Sequence, residues 1–339
     1  TKDCVGMQFH GKRSPFISRR STVMAPNGAV ATSQPLAAQA GLSILQAGGN
    51  AVDAAVATAA VLAVVEPMST GIGGDVFALL YDADTRSLSG LNASGWAPEA
   101  ADIETYTRHG FQNMPLEGVF ANTVPGAVAG WHALLERYGT LSFRDVLQPA
   151  ITYASTGFPV SERISYAWNH LTPKLQRNPG GDAYLVQGRA PVPGQSFTQR
   201  QLASSLELIA TRGVDAFYRG TLADQMIRFL RQHGSVMTRE DLAEYEPEWV
   251  QPLAVHYDDY TLYELPPNGQ GLCALEALNI VSHLPLEGLD YQSPEYLHYL
   301  IEAMKIAFHD GHQYITDPRF RAIPVGRLLS ASYSREQST

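Results

Sequence analysis

Cysteine is scarce in this chain: its 339 residues carry two, Cys4 and Cys273. Two such residues build no disulfide framework, and this usage fits a reducing, cytoplasmic compartment. Basic charge is short as well, with 24 Lys and Arg against 33 Asp and Glu and a net charge of −9. That balance argues against nucleic acid as the main partner, because phosphate binding wants a basic face. It leaves room for a local basic pocket that takes an anionic substrate. Long apolar runs are missing too. The longest, residues 51–65, is fifteen residues of mostly alanine and valine with Asp53 inside it. It is too short to span a bilayer, and a membrane core tolerates a carboxylate poorly. The first 21 residues are polar and basic, without the apolar stretch of a secretory signal, and read as an N-terminal tail. No GxSxG elbow, Walker lysine or dinucleotide fingerprint occurs.

What is present is a globular balance, 45% apolar and 17% charged, long enough for a sizeable core. "QPLAAQAGLSILQAGG" predicts a helix with Pro35 in its first turn and Gly48 closing it. Asn50 can cap the next helix, residues 51–65, whose alanines let neighbours approach on nearly every side. Asp53 falls in its first turn, where the helix dipole favours a carboxylate. Glu66-Pro67 ends that helix, and "MSTGIGGD" is a loop nearly bare of side chains. "VFALLYD" and "LSGLNAS" read as a hairpin, so a buried helix followed by a hairpin suggests an α+β layered fold. From Gly126 onward helices dominate. Ser142 and a Thr238–Asp241 capping box mark two starts, and Gly139, Gly157, Gly213, Gly220 and Gly234 mark stops. "PLAVHYDDYTLYELPP" reads as two short strands. No repeat or clear linker divides the chain. The expectation is one domain over 1–339, with a tail at 1–21, a sheet and core portion over about 22–125 and a mainly helical portion over about 126–339.

Three stretches invite a chemical reading. "HDGHQYITD" offers His309, Asp310, His312 and Asp317, but metal ligands on a helix favour i, i+4 spacing and these histidines are three apart. A helix C-terminus with dipole-favoured histidines is the better account, and no metal is expected. "LPPNGQGLCALEAL" sets a glycine-rich turn before a helix, which can cradle an anion but reads first as a structural turn. Cys273 sits in an apolar helical context and reads as buried and inert.

At "GGNAVDAAVATAAVLAVVEPMSTGIGGDVFALLYD" the chain resembles the γ-glutamyltranspeptidase family. The likeness continues in order through "APEAA", "TVPGAVAGWHALLERYGTLSFRDVLQPAITYASTGFPV", "ASSLELIATRGVDAFYRGTLADQM", "TREDLAEYEP", "LPPNGQG" and "DPRF". The resemblance implies an N-terminal-nucleophile hydrolase, a four-layer αββα sandwich. This chain would form its large-subunit portion, with an extra helical region. Family members are made as one precursor that cuts itself, and the new N-terminal threonine of the small subunit is the nucleophile. Its α-amine acts as base and backbone N–H groups hold the oxyanion. No Thr-Thr-His motif occurs here. The resemblance therefore implies no catalytic residue in this chain, no cofactor, and a small subunit from the same precursor as partner. A dimer of such heterodimers is a further expectation.

The departure from the family bears on substrate. Where transpeptidases carry Arg-Glu-x-Ala-Pro, this chain reads Ser94, Gly95, Trp96, Ala97, Pro98. Serine cannot fork onto an α-carboxylate as arginine does. Losing a desolvated pair of that kind costs about 2–5 kcal/mol. Ser94, Gly95 and Trp96 are therefore the expected substrate-binding residues, with Gly73, Gly74 and Asp75 lining the site. The resemblance then points to an amidohydrolase of small acidic amides, of the oxamate type known from purine breakdown. The alternatives are a glutaryl-cephalosporin acylase, a true γ-glutamyl enzyme, and an uncleaved binding protein of the same fold.

Overall fold

The computed structural model describes residues 22–339; the tail at 1–21 and Cys4 lie outside the described residues. Helix α1 (Pro35–Gln46) opens with Pro35 in its first turn, and the Gln34 side chain accepts the N–H groups of Leu36 and Ala37. Helix α2 (Ala51–Val65) starts with a capping box in which Asn50 and Asp53 serve each other's backbone. Eleven of its fifteen residues are buried, so it is a packing slab on nearly all sides. Gly41 lets α1 cross it closely: a Cβ there would lie 2.2 Å from Thr58 Oγ1.

Strands β1 (Val76–Asp82) and β2 (Ser87–Ala93) pair antiparallel, from Val76 opposite Ala93 to Asp82 opposite Ser87. The Asp82 carboxylate accepts from Asp84 N and Thr85 Oγ1 and fixes the turn. The inner face, with Leu91 and Ala93 fully buried, lies on the main core. The outer face leaves Phe77, Leu79 and Tyr81 exposed. After the short helix α3 (Ile103–Arg108), the core is closed by α4 (Ala127–Tyr138) and α5 (Phe143–Thr156). Then come β3 (Phe158–Pro159), α6 (Glu162–Arg177), β4 (Ser196–Phe197) and α7 (Arg200–Arg212), with β3 paired to β4. Helices α8 (Asp215–Tyr218), α9 (Thr221–Gln232) and α10 (Arg239–Ala243) follow. Ser142 and Thr238 cap as expected. Gly220 begins α9 as well as following α8.

The chain then returns to the sheet. Strand β5 (Glu248–Val250) pairs with β2, Trp249 opposite Leu91, so the third strand comes from the mainly helical portion. Strands β6 (Leu253–Tyr257) and β7 (Tyr260–Glu264) form the second hairpin. Helices α11 (Gly271–Val281), α12 (Pro294–Tyr314), α13 (Val325–Leu328) and α14 (Ala331–Gln337) complete the fold. This C-terminal part has its own small apolar clusters, such as Leu272 with Leu328 and Tyr333. The architecture is α+β. No helix among the described residues is long and apolar enough to cross a membrane.

Candidate functional site

Helix α2 ends at Glu66, and residues 71–75 lead into β1. The bare loop is pinned at its far end. Gly74 O accepts from the N–H of Gly126 at 2.9 Å and of Ala127 at 2.8 Å, at the start of α4. Asp75 Oδ1 accepts the Gly95 N–H at 2.9 Å. The carboxylate thus orients the segment that leaves β2, and Trp96 O takes the Val124 N–H at 2.8 Å on its other side. Gly95 has no room for a side chain: a Cβ would sit 1.6 Å from Val124 O.

An aromatic column backs this segment. The Trp96 ring meets Tyr245 edge-on at 5.3 Å, and Tyr245 stacks on Tyr218 at 5.8 Å. Tyr245 Oη donates to Ser94 O at 3.1 Å, and Tyr218 Oη donates to Pro125 O at 2.7 Å. Burial raises both phenols well above the usual range, with Asp75 adding to each. They are hydrogen-bond donors, not acids.

In front lies a cavity of about 280 Å³ lined by Asn92, Ser94, Gly95, Trp96 and Ala97, by Glu246, Glu248 and Asn268, and by Thr316 to Arg319. Ser94 Oγ donates to Asn92 Oδ1 at 2.8 Å and accepts from Asn268 Nδ2 at 2.9 Å. Asn92 Nδ2 donates to Asn268 Oδ1 at 2.9 Å, which closes a neutral polar ring. Arg319 lies over Trp96, its guanidinium carbon 4.7 Å from the ring centroid. It also forks onto Asp317 through Nε at 3.0 Å and Nη2 at 2.5 Å. That hydrogen-bonded pair holds the Asp317 carboxyl below its usual range.

The structure therefore brings Ser94, Gly95 and Trp96 into one cavity, with Asp75 reaching it through Gly95. Gly73 lines a neighbouring cavity, with Thr123, Pro125 and Met237 among its walls. Gly74 serves α4 instead. Trp96 is both packed against the core and part of the cavity wall. Asn92, Asn268 and Arg319 were not singled out as site residues from the sequence, and Asp317 only within the metal reading set aside there, although "LPPNGQG" and "DPRF" stand out in it as blocks. The glycine turn at Asn268 is structural and site-forming at once. His309 and His312 belong to α12, and among the described residues no three His, Cys, Asp or Glu side chains gather as a metal site.

Residues 37–339 match the family described as Gamma-glutamyltranspeptidase. A glutathione hydrolase-like YwrD proenzyme of Bacillus subtilis is 42% identical over 303 residues, 89% of this chain and 57% of that protein. An oxamate amidohydrolase proenzyme of Klebsiella pneumoniae is 35% identical over 317 residues, 91% of this chain and 59% of that protein. The crystal structure of a cephalosporin acylase from Bacillus halodurans superposes with a TM-score of 0.89 at 45% identity, covering 97% of this chain and 62% of that one. The chain spans less than two thirds of the length of each of these relatives. With a match of this extent in sequence and in fold, the chain belongs to the γ-glutamyltranspeptidase family.

Proposed function

We propose that this chain is the larger part of an autoprocessed amidohydrolase that cleaves a small acidic amide of the oxamate type in the cytoplasm. The nucleophile is the N-terminal threonine of a small subunit cut from the same precursor. That threonine attacks the amide carbon, ammonia leaves, and water then releases the acyl group as a carboxylate. The apolar outer face of β1, with Phe77, Leu79 and Tyr81 exposed, is a surface for the partner to cover. No cofactor or metal enters this scheme.

One observation carries the substrate assignment. Ser94 sits in a closed neutral ring with Asn92 and Asn268, so this corner offers no charge to an α-carboxylate. The fork that a γ-glutamyl α-carboxylate would take at this position is absent. A second reading, an acylase taking a longer acyl group, is favoured by the 45% identity to the cephalosporin acylase.

The test uses the complete processed protein. Ammonia release from oxamate should exceed γ-glutamyl-p-nitroanilide turnover by about 30-fold or more in kcat/KM, the lower bound set by loss of a charge-assisted pair. Ser94→Arg should raise the γ-glutamyl activity. Efficient transfer of a γ-glutamyl group to glycylglycine would overturn the substrate assignment. A companion fragment that begins with a residue other than threonine would overturn the enzyme assignment itself.

A further inference from the structure

Among the cavity's lining residues Arg319 is the one cation, and it is held there from two sides. Trp96 supports the flat of the guanidinium and Asp317 takes its Nε–Nη2 edge. A guanidinium offers five N–H donors in a rigid plane. The fork onto Asp317 leaves the terminal edge, Nη1 with the second N–H of Nη2, and Nη1 has no hydrogen-bond partner among the described residues. That edge has the spacing of a carboxylate.

We propose that Arg319 is the residue that reads the carboxylate of the acyl group. This rests on the amidohydrolase reading of the same cavity. The substrate carboxylate lies on the terminal edge of Arg319, end-on to Asp317, with its plane continuing that of the guanidinium. Asp317 and Trp96 are positioning residues: one stops the side chain from swinging out and the other fixes its plane. The remaining charges set the selectivity. Glu246 and Glu248, both exposed, line the same cavity, so it carries three carboxylates and one guanidinium. One negative group is accepted at the fork, and a second is repelled. Hydrolysis breaks the C–N bond and forms a C–O bond from water, with ammonia leaving as ammonium. A monoanionic amide thereby becomes a dianion, which this surround expels.

The experiment compares the complete processed protein with Arg319→Met and Arg319→Lys. It uses two pairs of amides, each an anion beside its neutral diamide: oxamate with oxamide, and glutaramate with glutaramide. Arg319→Met should lower kcat/KM for the anion by about 30- to 100-fold, mainly through KM, as loss of a carboxylate fork predicts. The neutral diamide should change by about 3-fold or less, and lysine should restore part of the loss. If glutaramate is processed with this dependence and oxamate is not, the oxamate assignment falls and the role of Arg319 stands. If anion and diamide fall together, Arg319 is structural and the inference is wrong. It is also wrong if the variant leaves the anion unaffected. Should the protein hydrolyse neither pair, titration calorimetry with glutaramate, a monoanion, decides. Binding that is lost in Arg319→Met supports the inference, and binding that is equal in both proteins, or absent from the wild type, overturns it.

Discussion

Replacing Asp53 by alanine should destabilise the fold by about 3–5 kcal/mol, the range found when one partner of a buried charged network is removed. Asp53 is fully buried. Its Oδ2 accepts the Asn50 N–H at 2.8 Å and the Thr140 hydroxyl at 2.6 Å, and its Oδ1 accepts the N–H groups of Thr140 at 3.1 Å and Leu141 at 3.3 Å. Asn50 Nδ2 adds a bond to Tyr138 O at 2.6 Å. One carboxylate thus caps α2 and ties it to the turn between α4 and α5. Alanine leaves three backbone donors without their acceptor, and each such group costs about 1–3 kcal/mol. Asparagine keeps part of the acceptor capacity and should cost less. Thermal and urea unfolding of the complete protein measure the difference. A loss below about 1 kcal/mol for alanine would mean that water replaces the carboxylate and that the tie is not structural.

Asp53 also shows where sequence reading stops. Its place in the first turn of a helix is legible, because the cap and the dipole are written within four residues. Ser142, Thr238 and Pro35 were legible for the same reason. Its bonds to Thr140 and Leu141 are not, because those partners lie 87 and 88 residues on. Strand β5 was missed for a related reason. Three residues are too short to show alternation, and the strand exists because Trp249 finds Leu91 across the sheet. In β1 alternation is hidden because both faces carry apolar residues, half-buried Ala78 and Leu80 inside and Phe77, Leu79 and Tyr81 outside. The site divides the same way. Ser94, Gly95 and Trp96 could be singled out because they replace a contiguous element expected of the family, and they share one cavity. Arg319 stood inside a quoted block, yet nothing local connects it to a tryptophan more than two hundred residues earlier.

Two buried acids pull stability in opposite directions with pH. Burial raises the Asp53 carboxyl, but the hydrogen bonds from the Thr140 side chain and the Asn50, Leu141 and Thr140 backbone outweigh it and leave it lowered from 3.8. Its contribution is present above that unfolded value and is lost as pH falls through the folded one. Glu276, on α11, behaves in the reverse sense. It is 1% exposed, and its Oε1 has no hydrogen-bond partner among the described residues. Burial, with a hydrogen bond to Asp310 and the charge of that neighbour, pushes it from 4.5 up to about 9. Its contribution is whole below 4.5 and is lost as pH rises toward 9. The two together place the stability maximum in the mildly acidic range.

Glu276→Gln should remove the second of these slopes. Burial and the neighbouring Asp310 of α12 hold Glu276 toward its neutral form, and Asp310 also accepts from the Tyr333 hydroxyl of α14. Arg327 lies over the Tyr333 ring at 5.1 Å, and His283 Nε2 meets Ser334 Oγ at 3.1 Å on the same helix. Cys273, whose thiol is raised by burial and by Glu276, packs with Ala277 and Ala307 between α11 and α12. The neutral form of Glu276 therefore links α11, through Asp310 and Tyr333, to α12 and α14. Keeping it against rising pH costs up to about 1.4 kcal/mol per pH unit between the unfolded and folded values. A glutamine amide donates to Asp310 in the same place and does not titrate. Wild type and variant should match near pH 5, and by pH 8 the variant should be more stable by about 3 kcal/mol, the slope discounted for partial solvation of the charged form. Unfolding midpoints at the two pH values measure this, with hydrogen exchange in α14 as a local readout. A difference that does not change with pH would show that Glu276 is already ionised in the fold. Glutamine rather than alanine is the informative choice, because alanine would remove the hydrogen bond together with the proton and leave Asp310 with a cavity beside it.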